Sequence, residues 1–194
     1  MQNDDEDYKK FADRFKKMSE PPTSDLKQSS VREASELDLG YLPEIEAKAD
    51  AVFAQIGLTN LPAPATKAEL KVARAILVAG DPPIGYARIE EIDGLAHLEQ
   101  LSVLPEQSGK GVGRQLLEEV CVWAAKRNYP AVTLSTFRDI KWNAPFYANH
   151  GFKIIDELTP GLLALRKHEA ELGLHDIGPR VIMELTLSGS RQVG

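Results

Sequence analysis

Gly109, Gly111 and Gly113 alternate with Lys110 and Val112 directly ahead of a helical pattern, and Arg114 follows them. Glycines lack Cβ atoms, so a backbone built from them can approach an anion closely. A helix start adds N–H groups with no partner four residues back and a partial positive charge. Lys110 and Arg114 supply full charges. On these grounds the segment reads as a cradle for a pyrophosphate. Spacing excludes two familiar cradles. A P-loop needs Lys-Ser or Lys-Thr after its last glycine, and neither pair follows these glycines. A dinucleotide fingerprint counted from Gly109 or Gly111 finds Arg114 or Leu116 where its last glycine belongs. A tight turn feeding an ordinary helix is the plainer reading of the same residues.

Other reactive side chains give weaker signals. His97, His150, His168 and His175 show no metal-ligand spacing such as H-x-x-x-H, so no metal is expected. Cys121 falls at the edge of an apolar helical arc with no cation placed to activate it, and reads as a small core residue. Glu46 and Asp50 share a helix and could receive a cationic amine, although a solvated helix face is the commoner explanation.

The elements that must position these residues alternate from residue 30 onward. Residues 30–34 read as a short strand. Leu42, Ile45, Ala49, Val52 and Ile56 step by three and four, which predicts a helix over 38–57 stopped by Gly57. Residues 60–67 hold two prolines and read as loop. Strands follow at 70–79, 84–92 and 95–103, separated by turns at 80–83 and at Asp93 and Gly94, and they should pair as an antiparallel meander. The glycine loop at 108–113 then runs into a helix ending near Asn128, with Val112, Leu116, Val120, Trp123 and Ala124 on one face. A strand at 131–137, a short helix closed by Gly151, a strand at 152–156, a helix at 161–172 and a strand at 180–187 complete the chain. Strand, loop, helix, strand is a right-handed crossover between parallel strands. The expected fold class is therefore mixed α/β: a central sheet of six or seven strands, with an antiparallel meander, one parallel crossover pair and helices on both faces.

Composition bounds the function. The chain has 194 residues, room for one ordinary domain, and no apolar run reaches the roughly 18 residues of a membrane span. Acids outnumber lysine and arginine by 29 to 23, which argues against nucleic acid or an anionic membrane as main partner. The acidic start from Met1 to Glu6 carries no secretory signal, and the single cysteine fits a reducing, cytoplasmic setting. Residues 1–29 read as a charged tail in which Tyr8, Phe11, Phe15 and Met18 recur at helical spacing. The plainer reading of that stripe is a frayed tail whose helix forms only when docked on its own domain; the other is a homodimer contact. Residues 30–188 form the expected domain and 189–194 a C-terminal tail.

Two segments together resemble the GNAT superfamily of acyl-CoA-dependent N-acyltransferases. That family's loop has the form [RQ]-x-x-G-x-[GA] after an apolar strand and a V-x-P turn. Leu101, Ser102, Val103 and Pro105 match the approach, and Gly111 and Gly113 match the glycines. Phe146, Tyr147, Gly151 and Phe152 match the signature [LF]-Y-x-x-x-G-F. The order of elements from 30 to 188 also fits. Two positions depart from the pattern. Ser108 replaces the usual Arg or Gln, with Gln107 beside it, and Ile140 stands where many members carry Asn. Asn143 is displaced to the mouth of the short helix, where it looks like an N-cap with Pro145 in the first turn.

The resemblance implies an N-acetyltransferase with acetyl-CoA as co-substrate and no metal. The acceptor would be an amine of a small molecule, an amino-acid derivative or a peptide. It implies cofactor contacts from Leu101, Ser102, Val103, Ser108, Gly109, Lys110, Gly111, Val112, Gly113 and Arg114, and one from Asn143. Only about one lysine-type amine in 2,500 is neutral at pH 7, so a proton must leave before attack. Tyr147 is the implied acid for the departing thiolate; its other reading is an aromatic packing the short helix on the sheet. Glu99 and His97 are the candidate bases. Simple alternation puts Leu95, His97, Glu99, Leu101 and Val103 on one face, whereas a β-bulge would shift that parity and bring in Gln100. A CoA-binding module without turnover is the alternative function.

Overall fold

The computed structural model of the chain describes residues 30–187. The expectations for residues 1–29 and 189–194 lie outside the described residues. Apolar runs bounded by turns build one sheet of seven strands. β1 (Val31–Glu33) pairs with β2 (Ala75–Ala79), and β2, β3 (Gly85–Ile92) and β4 (Leu95–Val103) form the expected antiparallel meander. β5 (Ala131–Phe137) runs parallel to β4, and the sheet continues through β7 (Arg180–Thr186) to β6 (Lys153–Ile154). The strand order is β1-β2-β3-β4-β5-β7-β6. The predicted mixed sheet and its crossover pair are both present.

Helices cover both faces. α1 (Leu42–Ala54) and α2 (Lys67–Lys71) precede β2; α3 (Val112–Lys126) makes the crossover; α4 (Ala144–Asn149), α5 (Pro160–Glu171) and α6 (Leu174–Ile177) follow β5. On one face Leu116, Leu117, Val120 and Trp123 of α3 pack against Leu98, Val132 and Leu134. The helical stripe predicted for α3 is buried at all five positions. On the other face Leu42 and Ile45 of α1 meet Val78 and Tyr86. Each fully buried leucine or isoleucine contributes about 1.5–3 kcal/mol relative to exposure, so the two layers clamp the sheet that carries the site.

Several boundaries differ from expectation for local reasons. The first helix begins at Leu42 rather than 38, after a 3-10 turn over Asp38–Gly40. Asp38 is occupied by Arg32 and Ser35, which donate to its carboxylate at 2.6–2.9 Å, and Pro43 suits a helix start. Ile56 lies past the helix end and is exposed. Residues 67–71, of which 67 was expected in a loop and 70–71 in a strand, form α2. A capping box between Thr66 and Glu69 starts it, so the strand is delayed to Ala75. The strand expected over 152–156 shortens to two residues, and Phe152 joins the core instead.

Candidate active site

The parallel pairing of β4 with β5 is short. It joins Ala96, His97 and Leu98 to Val132, Thr133 and Leu134 and then stops. Beyond it, β4 continues to Val103 and β5 to Phe137 with no ladder between them. The strands part, and the backbone of β4 past Leu98 is left without a partner on that side. A cleft of about 860 Å³ opens there. α1 and the loop at 61–65 form one wall, and α5 with α6 another.

A bulge shapes β4 at the same point. Ile89 pairs with Leu98, yet Arg88 pairs with Gln100, so Glu99 is the extra residue. Simple alternation therefore fails. Ala96 and Leu98 share the α3 face with Leu101 and Val103, while His97 sits on the opposite face with Gln100 and Ser102. Gln100 Nε2 donates to Ser102 Oγ at 2.9 Å. Of the two expected readings, one face for Leu95, His97, Glu99, Leu101 and Val103 is overturned, and the β-bulge that shifts the parity is the one present.

His97, Glu99, Leu101, Ser102, Val103 and Ser108 all line the cleft, as do Asn143 and Tyr147. Glu99 projects from the bulge and keeps over a third of its side chain open. Burial of its surroundings raises its carboxyl above the usual range, and the Arg88 guanidinium opposes that shift. His97 is almost fully enclosed, with Nδ1 2.9 Å from Thr133 Oγ1 and Nε2 3.7 Å from Glu99 Oε2. Burial pushes the imidazole down to about 4, so it is neutral at pH 7.

Tyr147 lies on α4, packed edge-on against Phe146 and Phe152 at centroid distances of 5.1 and 5.9 Å. Its hydroxyl makes no hydrogen bond among the described residues. Burial raises its pKa above the ordinary phenol value, and Arg180 opposes the shift. Asn143 occupies the N-cap position of α4, as expected, but its side chain makes no capping bond. Its Oδ1 is buried without a hydrogen-bond partner.

The glycine loop stands beside this opening. Gly109 and Gly111 have φ of 74° and 82°, the left-handed region that other residues rarely adopt. Gly111 is the N-cap of α3 and makes no side-chain capping bond. Lys110 Nζ reaches Gln107 Oε1 at 3.3 Å, and Arg114 Nε lies 3.7 Å from Glu118. Val112 differs from the rest of the loop because its side chain is buried in the core. Gly109, Lys110, Gly111, Val112, Gly113 and Arg114 do not line the cleft itself.

The acidic pair on α1 is not a solvated face. Glu46 is buried, accepting from the Tyr86 hydroxyl at 2.5 Å and from the amide of Ala65 at 3.2 Å. Burial, with the charge of Glu46, pushes Asp50 up to about 6. Both line the cleft. Cys121 is fully buried and its thiol is pushed up to about 12, which fits a core residue. Sequence reasoning missed Glu169 and Arg180, a buried pair in the same cleft. One signal was available: Leu162, Leu165 and Glu169 are spaced on one helical stripe, so an acid interrupts an apolar run.

Residues 73–154 match the family model described as an acetyltransferase (GNAT) domain. Over that span the chain is similar to GNAT acetyltransferases. The matched span holds the meander, the glycine loop, the crossover helix and the Tyr147 segment. Solved structures show the same fold. A Mycobacterium tuberculosis protein in complex with CoA aligns with a TM-score of 0.61 at 19% identity, covering 81% of this chain and 99% of that one. PaiA N-acetyltransferase from Thermoplasma acidophilum, in complex with coenzyme A, gives 0.58 at 21%, covering 81% and 98%. The ribosomal-protein-S18-alanine N-acetyltransferase of Escherichia coli gives 0.53 at 19%, covering 84% and 97%. At these identities the likeness is one of fold. The fold shared with these structures extends beyond the matched span to strands and helices on either side.

Proposed function

We propose that this GNAT chain transfers an acetyl group from acetyl-CoA directly to a primary amine of a small molecule, an amino-acid derivative or a peptide. One observation carries the reading: the parted β4–β5 pair holds Glu99 and Tyr147 in a single cleft beside the glycine loop. Three features fit acetyl-CoA. The left-handed glycine loop leads straight into the N-terminus of α3, the kind of place where a pyrophosphate is held. The unpaired edge of β4, from Leu101 to Val103, can pair with the amides of a pantetheine arm as an added strand would. Asn143 Oδ1 is a buried acceptor with no partner of its own. Ser108 gives less help to phosphates than Arg or Gln would, so the backbone and Lys110 carry more of that contact.

Acetyl-CoA supplies an activated acyl group at the parting of the strands. Glu99 is the proposed base. It is open to the cleft, and its raised pKa suits it to take a proton from an ammonium, directly or through water. His97, neutral and fixed by Thr133, orients Glu99 and is too weak a base to serve alone. Tyr147 holds its proton at working pH and gives it to the leaving sulfur. The acidic wall of Glu46 and Asp50 favours a cationic acceptor. The proposal places the reaction in the cytoplasm, with no metal, nucleic acid or membrane as partner.

Calorimetry with acetyl-CoA, followed by an amine panel monitored for free-thiol release, tests this reading. Acetyl-CoA should bind and at least one amine should release thiol. Absence of binding would overturn it. Binding without turnover on any amine would favour the CoA-binding module, the reading that Ser108 and Ile140 support.

A further inference from the structure

Glu169 on α5 and Arg180 at the start of β7 form a charged pair that the proposed chemistry leaves unused. Their side chains are only 6% and 11% exposed. Arg180 Nη2 donates to Glu169 Oε1 at 2.6 Å and to Ser135 Oγ at 3.1 Å. Its guanidinium lies 4.9 Å from the centroid of Phe137. Arg166 Nη1 donates to the Arg180 carbonyl at 2.8 Å, and Arg166 Nε lies 3.8 Å from Glu169 Oε2. The pair makes one direct hydrogen bond rather than two. Glu169 Oε2 and Arg180 Nε are both buried without a hydrogen-bond partner among the described residues. A buried ion pair with an unmade bond on each side is a poor source of stability. Its placement gives it another use. Thr133 on β5 contacts His97, and Ser135, two residues along the same face, accepts from Arg180. His97 and Arg180 therefore contact successive same-face positions of β5.

We propose that Glu169 and Arg180 are positioning residues that set the charge state of the Glu99–His97 base, an inference that rests on the acetyltransferase reading. The two act in opposite senses. Arg180 favours ionised Glu99 and neutral His97, whereas Glu169 favours protonation of both. Other charged and titratable groups face the same space: Arg88 and Glu90 from β3, Glu46 and Asp50 from α1, His168 from α5 and Tyr147 from α4. Each is left in place when only the pair is altered, so its effect is common to all variants.

The test uses Glu169→Gln, Arg180→Met, the double variant and Arg180→Lys in the full chain. NMR titration reads the Glu99 carboxyl and the His97 imidazole without any acceptor, and the pH profile of kcat reads the acid limb. Glu169→Gln should lower both NMR midpoints and Arg180→Met should raise them, each by about half a pH unit or more. The double variant and Arg180→Lys should stay near the wild type. The acid limb of kcat should follow the NMR shifts. A purely structural pair would lower Tm without opposed shifts, and shifts of the same sign or of none would overturn the proposal. Should Arg180→Met not fold, Glu169→Gln against the double variant decides the same question. Opposed NMR shifts with an unmoved kcat limb would overturn the catalytic role. A wild-type chain that turns over no amine would overturn the acetyltransferase reading, while the NMR result still stands as a separate measurement.

Discussion

Replacing Tyr147 with Phe removes one hydroxyl and almost no volume. The ring is buried between Phe146 and Phe152, and those edge-on contacts do not depend on the oxygen. The hydroxyl has no hydrogen-bond partner among the described residues, so its loss breaks no protein bond. Unfolding free energy should change by no more than about 0.5 kcal/mol, the range for substitutions that create no cavity and orphan no polar group. Acetyl-CoA affinity should also survive, because the loop and the β4 edge are untouched. Catalysis should not. The tyrosine is protonated throughout the working range, since burial raises its pKa. A positioned general acid contributes about 10²–10⁴-fold in rate. Water entering the cleft can replace part of this, so the expected fall in kcat is at least about tenfold, equivalent to roughly 1.4 kcal/mol in the barrier. The measurement is thiol release at saturating acetyl-CoA and amine, with thermal unfolding run in parallel. Wild-type kcat in Tyr147→Phe, with chemistry rate-limiting, would refute the acid role and return the residue to packing alone.

Gly111→Asp should weaken acetyl-CoA binding at least about tenfold by calorimetry. Apart from the local backbone, no atom of the described residues lies within 4 Å of an added Cβ there, so the loss comes from the φ of 82° and from a carboxylate facing phosphate, not from crowding. Glu99→Gln should reduce kcat/KM more at neutral than at high pH, because the amine sheds its own proton when the solution is alkaline; an equal loss at both would argue against a base. Asp50→Asn should raise Tm at pH 8 and leave it unchanged near pH 4. The folded-state pKa of about 6 exceeds the ordinary 3.8, so ionisation costs stability as pH rises through that window. Partial exposure trims the gain to about 1 kcal/mol, a few degrees in Tm.

The sheet and its crossover helix were legible because both are repetitive. Period-two strands and the three-and-four step of Val112, Leu116, Val120 and Trp123 depend only on neighbours in sequence. The site was legible where its signal was equally local: the left-handed glycines of the loop, and Tyr147 four residues ahead of Gly151. It was not legible where the signal is a relation between elements. A bulge in β4 stood as one of two readings, but its presence at Glu99 is decided only by Arg88 and Ile89 on β3, which choose Gln100 and Leu98 as partners. The burial of Glu46 follows from Tyr86, forty positions away, and the charge of Arg180 matters because Ser135 and Glu169 hold it in the cleft. Thr66 and Glu69 show the opposite case, a capping box spelled out locally but hidden by the apolar run just after it. The long-range misses concentrate at one place. An extra strand residue, an unpaired sheet edge, an uncapping Asn143 and a half-bonded ion pair all border the same cleft. A chain that obeys local rules through its core and relaxes them around one cavity marks that cavity as the place where folding preferences yield to binding and chemistry.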